Sequence, residues 1–387
     1  MKEFLSPISK TLLAHLETLP PATLGTQIQI HAEKGDLPDL QGVTFAIIGI
    51  EENRYNVDYK GDPVSFDPYR AAFYSLYPGN WTHTIVDLGN IKKGSTPEDS
   101  RFALREIVSE LLRQNIIPLI LGAGQDMVYG QYRAYDSLGQ MVNMVNIDNR
   151  FDLGNTDLPI SNKSYVGKIV VNEPYNLFNY TVLGYQSFFN PPEEIALMDK
   201  LYFDAYRLGE LAGDITVVEP AMRDADIVTL DISAINSAEL SYRNSDSPNG
   251  FDGREICKLS RYAGISNRVT SFGIYEIGHP MEHKSGAMLV AQIMWYFIEG
   301  VNFRIKDEDF DNENHFTTYI VPVDGFDLIF KKSEKSERWW IELPFISNVN
   351  NKLKSGALLP CTYADYLGAC NQEIPERWLK ARRKNEV

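Results

Sequence analysis

Positive charge, cysteine and long hydrophobic runs are all scarce in this chain of 387 residues. Lysine and arginine number 37 against 52 aspartates and glutamates, a net charge of −15. So acidic a surface repels phosphate backbones, and no nucleic-acid partner is expected. Three cysteines, Cys257, Cys361 and Cys370, are an odd number without metal-like spacing. They build neither a disulfide framework nor a zinc ribbon, and they read as the thiols of a reducing compartment. The first twenty residues hold no apolar core and no cleavage site, so no secretory leader is read there. The longest apolar tract, Ala287 to Val301, is interrupted by Gln292 and Glu299, and it falls short of the roughly 20 residues a bilayer span needs. The expectation is a soluble, cytoplasmic protein without a membrane partner.

What is present is an alternation of short apolar runs and amphipathic segments. The runs Val43–Ile50, His83–Leu88, Ile116–Leu121, Met141–Asp148, Tyr180–Tyr185, Asp226–Ile232, Val269–Ile274 and Thr317–Val323 are mostly apolar throughout. Continuous rather than alternating hydrophobicity marks strands covered on both faces of a parallel sheet. Between them, Thr96 with Pro97, Glu98 and Asp99 opens the clearest helix: an N-cap, a proline at N1 and acids in the first turn. Leu104, Ile107, Leu111 and Leu112 give it one apolar stripe. Further helices are predicted over 126–137, 193–213, 217–224, 253–263 and 283–299. Such βαβ alternation predicts a three-layer α/β fold. We divide the chain into an N-terminal arm, 1–40, an α/β domain, 41–325, and a C-terminal extension, 326–387.

In open parallel sheets, ligands bind beyond the carboxyl ends of the strands. The third run leads into Gly122-Ala123-Gly124-Gln125-Asp126, the fourth into Asp148-Asn149-Arg150-Phe151-Asp152. The sixth ends on Asp231-Ile232-Ser233, and the seventh leads into Glu276. Acids at these strand ends, in this order, resemble the ureohydrolase family of arginases, agmatinases and formimidoylglutamases. The stretch Phe178–Phe189 looks most like the formimidoylglutamase branch.

The resemblance implies an arginase-type fold with a mostly parallel eight-stranded sheet, homo-oligomers, and a two-manganese site that hydrolyses C–N bonds of linear amidines or guanidines. Carried over residue by residue, the family's Gly-Gly-x-His falls on Gly122 to Gln125, with Gln125 at the histidine. Its Asp-x-His-x-Asp falls on Asp148 to Asp152, with Arg150 at the histidine. Its Asp-x-Asp falls on Asp231 to Ser233, and its substrate-side glutamate on Glu276. No histidine occurs in Ser161–Lys168, where the family has one. Asp148, Asp152 and Asp231 remain as ligand candidates, joined by the side-chain oxygen of Gln125.

Physical chemistry adds an expectation about charge. Asp148, Arg150 and Asp152 are spaced i, i+2, i+4, so an extended segment turns all three the same way. Like charges 4 Å apart repel by about 4 kcal/mol at an effective dielectric of 20. A guanidinium cannot ligate a metal, so Arg150 is expected as an internal cation within about 4 Å of Asp148 or Asp231. The all-oxygen donor set would suit magnesium, calcium or manganese weakly, and zinc not at all. The cofactor expectation is none; the alternative is one weakly bound manganese or magnesium.

Plainer readings stand beside each candidate. The three aspartates could form a polar core network, hold one metal, or bind a small amidine or amino-acid-like ligand directly. Gln125 could simply fill the histidine's volume. Asp126 reads as the cap of a following helix. His279 and His283 could carry a relocated metal site. Cys257 reads as a packed thiol, Trp339-Trp340 as core or subunit contact, and Ser247–Gly253 as a connecting loop. The functional expectation is a ureohydrolase-like protein that has lost its two-metal site and acts in binding or regulation. The alternative is an amidine hydrolase using one metal or none, with Glu276 on the substrate side.

Overall fold

The computed structural model describes residues 1–33, 37–58, 61, 64–240, 247–277, 284–307, 312, 314–343 and 358–386. Its strands, in chain order, are β1 Leu5–Ser6, β2 Gln29–Ile30, β3 Phe45–Ile50, β4 Ile85–Ile91, β5 Ile117–Gly122, β6 Val142–Ile147 and β7 Leu177–Tyr185. They continue with β8 Asp204–Arg207, β9 Ile227–Asp231, β10 Ser271–Tyr275, β11 Phe316–Val323, β12 Phe326–Ser333, β13 Trp339–Glu342 and β14 Leu358–Cys361.

The first ten form one sheet in the order β1-β4-β3-β5-β10-β9-β6-β7-β8, with β2 also paired to β4. Only β1 runs antiparallel. Every residue of β3, β5, β6, β9 and β10 is buried, as their continuous apolar runs predict. One core cluster fills the face covered by the helices Gly253–Ile265 and Lys284–Asn302. A second fills the opposite face, under Pro97–Arg113. The three-layer α/β architecture is therefore as expected, with more strands in its sheet than the eight anticipated.

Two assignments change with it. The run Thr317–Val323 is a strand, but it belongs to a separate antiparallel sheet, β11-β12-β13-β14. The edge beyond β7 is instead taken by β8, from within the segment 193–213 predicted as helix. Of that segment only Pro192–Lys200 and the short turn Leu208–Leu211 are helical, and Tyr202 turns left-handed at φ 55°. Residues 204–207 then pair with β7, so tertiary pairing overrides local helical pattern. The predicted helix 126–137 is likewise divided into the α-helix Val128–Arg133 between two 3-10 turns.

The helix opened by Thr96 forms as read. Thr96 Oγ1 accepts from Asp99 N at 3.3 Å, while the Asp99 carboxylate accepts from Thr96 N at 2.8 Å. This reciprocal box satisfies two of the N–H groups that a helix start leaves without partners.

Residues 1–33 are woven into the α/β body: β1 and β2 both pair with β4, on the edge away from β3, and Ile8, Leu12, Leu24 and Ile28 enter its core. Asp324 and Gly325 make the turn between β11 and β12, so the second sheet uses residues on both sides of 325. That sheet has its own core, into which Trp339 and Trp378 pack. The Trp339 ring stacks on Tyr366 at 4.9 Å, and the Trp340 ring lies under the Arg223 guanidinium at 4.6 Å. Both tryptophans are core residues. Among the described residues, no helix is long and apolar enough to cross a membrane.

Candidate functional site

Four strands that lie side by side, β5, β10, β9 and β6, bring the predicted residues together at their carboxyl ends. Gln125 follows β5, Glu276 follows β10, Asp231 ends β9 and Asp148 follows β6. Close packing of β5 on β10 needs Gly122, because a Cβ there would stand 2.2 Å from the Tyr275 ring. A cavity of about 500 Å³ opens over these ends, lined by Asp152, Asp231 and Glu276 on the inside. Arg150, Lys163, Phe188 and Phe189 also line it.

Asp148 is fully buried and hydrogen-bonded on both oxygens. Its Oδ1 accepts from Arg150 N at 2.9 Å. Its Oδ2 accepts from Gln125 Nε2 at 2.9 Å and from Asn146 Nδ2 at 2.8 Å. The Gln125 amide also faces Tyr165 Oη at 3.2 Å and Asn146 Oδ1 at 3.4 Å. Gln125 thus turns N–H groups toward Asp148, and the expectation that its side-chain oxygen joins the carboxylates is corrected. Acceptors surround that position, so the nitrogen end of the amide faces them.

Asp152 lies against Asp148, close enough for the two carboxyls to share a proton. Burial raises the affinity of Asp152 for that proton, and the charges of Asp148 and Asp231 add to it. Asp231 is raised in the same way, by burial first and then by Asp148 and Glu276. Burial also raises Asp148, against the lowering effect of its hydrogen bond from Gln125. Asp231 Oδ1 accepts from Ser233 N at 2.6 Å. Among the described residues, Asp152 Oδ2 has no donor, and neither has Asn149 Oδ1.

Arg150 does not join them. Its Nη1 donates to the Phe189 carbonyl at 2.6 Å, and its guanidinium lies over the Phe189 ring at 4.9 Å. It forms no ion pair with Asp148 or Asp231, which corrects the internal-cation expectation. The reason lies in the backbone. The chain bends at Asn149 and Arg150 directly after β6, and Asp152 takes φ 53°. The segment is not extended, so side chains at i and i+4 meet while i+2 diverges.

Glu276 also sits in the left-handed region, at φ 59°. Non-glycine residues held there cluster at functional sites, because the surrounding structure must over-determine them. Glu276 Oε1 accepts from Gln125 N at 2.7 Å, and Oε2 accepts from Asn56 Nδ2 at 2.6 Å. Asn56 was not singled out from the sequence; it lies in an irregular stretch after β3 with no periodic signal. Asn146, inside β6, Tyr165, which opens the helix Tyr165–Val171, and Lys163 were missed as well: polar residues become legible only when the fold converges them. Asp126 was expected to cap a helix. Its carboxylate instead pairs with Arg101 at 3.1 Å, and burial raises it to about 7. Cys257 is a packed thiol, which burial pushes up to about 12. The Ser247–Gly253 segment does connect to a helix, capped by Asp252, and also lends Ser247, Pro248 and Asn249 to the cavity. His279 and His283 lie outside the described residues.

Residues 46–299 match the model of the arginase family. The chain belongs to that family. Among curated arginase-family relatives, the formimidoylglutamase of Streptococcus gordonii is 23% identical over 286 residues, covering 68% of this chain and 86% of that one. The formimidoylglutamase of Clostridium tetani is 24% identical over 277 residues, covering 64% and 80%. The crystal structure of Trypanosoma cruzi formiminoglutamase with manganese superposes with a TM-score of 0.62 at 16% identity, covering 70% of this chain and all of that one. Agmatine ureohydrolase of Thermoplasma volcanium gives 0.57 at 14% identity, covering 74% and 97%. The arginase-type fold is thus shared with these structures.

The arginase family raises the question of a metal at these strand ends. Among the described residues, no group of three or more His, Cys, Asp or Glu side chains is arranged to hold a metal ion. The Gln125 amide directs N–H groups at Asp148. Among the described residues, the buried Asp152 Oδ2, in the cavity wall, has no donor.

Proposed function

We propose that this arginase-family protein keeps the pocket at the strand ends without the two-metal centre, and acts by binding a small cationic or amino-acid-like ligand. The observation that carries this reading is the bond from Gln125 Nε2 to Asp148 Oδ2 at 2.9 Å. A metal ligand at that position must offer a lone pair; an amide N–H offers a proton and uses up a lone pair of the carboxylate as well. The residues present do not fit a binuclear manganese site, and no catalytic step is derived through one. The test is elemental analysis of purified full-length protein after manganese incubation and removal of free ion. Well under one manganese per chain is expected. Two per chain would overturn the reading.

A second reading is hydrolysis of a C–N bond in a linear amidine with one metal or none. It is favoured by Glu276, which lines the cavity with its carboxylate held from two sides, and by the formimidoylglutamase relatives. Turnover of formimidoylglutamate by the purified protein, abolished in Glu276→Gln, would support it over the first.

A further inference from the structure

We infer that the pocket takes a small zwitterion, with an organic ammonium set directly among Asp152, Asp231 and Glu276 and a carboxylate held at the mouth by Arg150 and Lys163. This rests on the reading that no two-metal centre operates here, and it names the ligand class of that same site.

The inner end of the cavity is short of positive charge. Asp148, Asp152 and Asp231 make no ion pair with any described residue, and the Arg150 guanidinium turns away to Phe189. Two oxygens in the same wall also lack donors. Asp152 and Asn149 are 4% and 5% exposed, both line the cavity, and Asp152 Oδ2 and Asn149 Oδ1 have no partner among the described residues. Unsatisfied buried acceptors call for a donor that the described residues do not supply. An ammonium supplies three N–H donors and one positive charge, without needing the lone pairs that Gln125 withholds.

The mouth has the opposite character. Arg150 spends one N–H on the Phe189 carbonyl, of the five a guanidinium carries. Lys163 reaches Asp58 at 2.7 Å, with both side chains more than a third exposed. Phe188 and Phe189 add aromatic carbon to the lining, Phe188 being 70% exposed. Acid within, and cations with aromatic carbon toward the rim, suit an ω-amino acid better than a simple amine or a simple acid.

The experiment is isothermal titration of the chelator-treated full chain with 4-aminobutyrate, 5-aminopentanoate, 6-aminohexanoate, n-butylamine and butyrate. At least one ω-amino acid should bind tenfold more tightly than butylamine, and butyrate should give no heat of binding. Asp231→Asn should weaken all amines at least tenfold, and Asp152→Asn should do the same. Arg150→Met should bring the best ω-amino acid down to the level of butylamine and leave butylamine unchanged. No binding by any amine, equal binding of butyrate, or amine binding untouched by both aspartate variants would overturn the inference. Manganese content, measured on a second portion of the same preparation after manganese incubation and removal of free ion, separates the failures. Two manganese ions per chain sink the proposed function itself, whereas metal-free protein that binds no amine sinks only this ligand assignment.

Discussion

Gln125 donates its side-chain amide to the buried carboxylate of Asp148 across 2.9 Å, joining the end of β5 to the end of β6. Its backbone N–H meanwhile holds Glu276, which follows β10, one of the two strands between them. One residue therefore fixes two of the carboxylates around the pocket. Gln125→Leu keeps the bulk and removes the donor, so Asp148 is left less satisfied in a dry environment. Such a loss costs about 1–3 kcal/mol. Urea unfolding at pH 7 should show a destabilisation of that size, and an unchanged midpoint would mean that Asp148 draws its support elsewhere.

Arg150→Ala should matter much less. The guanidinium is half-buried, bonded to a main-chain carbonyl and laid over a ring rather than sandwiched between carboxylates. A contact of this kind at a partly exposed site contributes about 0.5–1 kcal/mol. Thermal melts at pH 4 and pH 7 should show the same small loss. A loss several times larger at pH 7 than at pH 4 would restore the idea of an internal cation.

How much of this was legible beforehand follows from the kind of signal each element carries. β3, β5, β6, β9 and β10 are buried on both faces, and their sequences say so in unbroken apolar runs. The site residues Asp148, Asp152, Asp231 and Glu276 stand where the strand ends were expected, because the carboxyl edge of a parallel sheet is fixed by topology. The direction of Arg150 was not legible. It depends on a bend of two residues and a left-handed Asp152, and no periodic pattern encodes either. β8 was missed because its four residues are stabilised by pairing with β7 rather than by their own composition. Thr317–Val323 read correctly as a strand and wrongly as part of the parallel sheet. Burial on one side, at Val321 and Val323, with Thr318, Ile320 and Pro322 turned to solvent on the other, marks an antiparallel sheet with one open face.

The C-terminal segment is as much a folded unit as the α/β body. Trp378 is 2% exposed, lies in the core of the second sheet, and donates Nε1–H to the Glu342 carbonyl at 2.8 Å. Removing a buried tryptophan side chain typically costs about 3–5 kcal/mol. Trp378→Ala should therefore melt the second sheet first, visible as early loss of near-ultraviolet dichroism from its aromatic cluster. A variant that melts with the wild-type profile would show that the helix holding Trp378 contributes little.

Stability should also respond to pH through Asp226, far from the pocket. Burial raises its carboxyl from 3.8 to about 6, against the opposing pull of Arg268, with which it pairs at 2.9 Å. An acid with a raised folded value binds more protons folded than unfolded between those limits. The stabilisation is therefore complete below pH 3.8 and is lost as pH climbs through 6. Asp226→Asn cannot titrate, so its stability should fall less than the wild type's between pH 4 and pH 6.5 in denaturant titrations. Parallel profiles would mean that Asp226 is ionised throughout.

Restoring metal ligands tests whether the backbone still has the family's geometry. Gln125 and Ser233 both sit at strand ends beside retained aspartates, and Ser233 lines the cavity next to Asp231. Gln125→His replaces an N–H donor by a ring nitrogen with a lone pair, and Ser233→Asp adds an anionic oxygen. Together they should tighten manganese binding at least tenfold over the wild type, measured by titration on chelator-treated protein. Arg150→His alone should change it little, because position 150 directs its side chain toward Phe189. Should Arg150→His by itself confer tight manganese binding, the outward turn at Asn149 and Arg150 cannot persist when the metal arrives. Failure of the double variant would instead mean that the ends of β5 and β9 stand too far from Asp148 and Asp152 for one ion to bridge them.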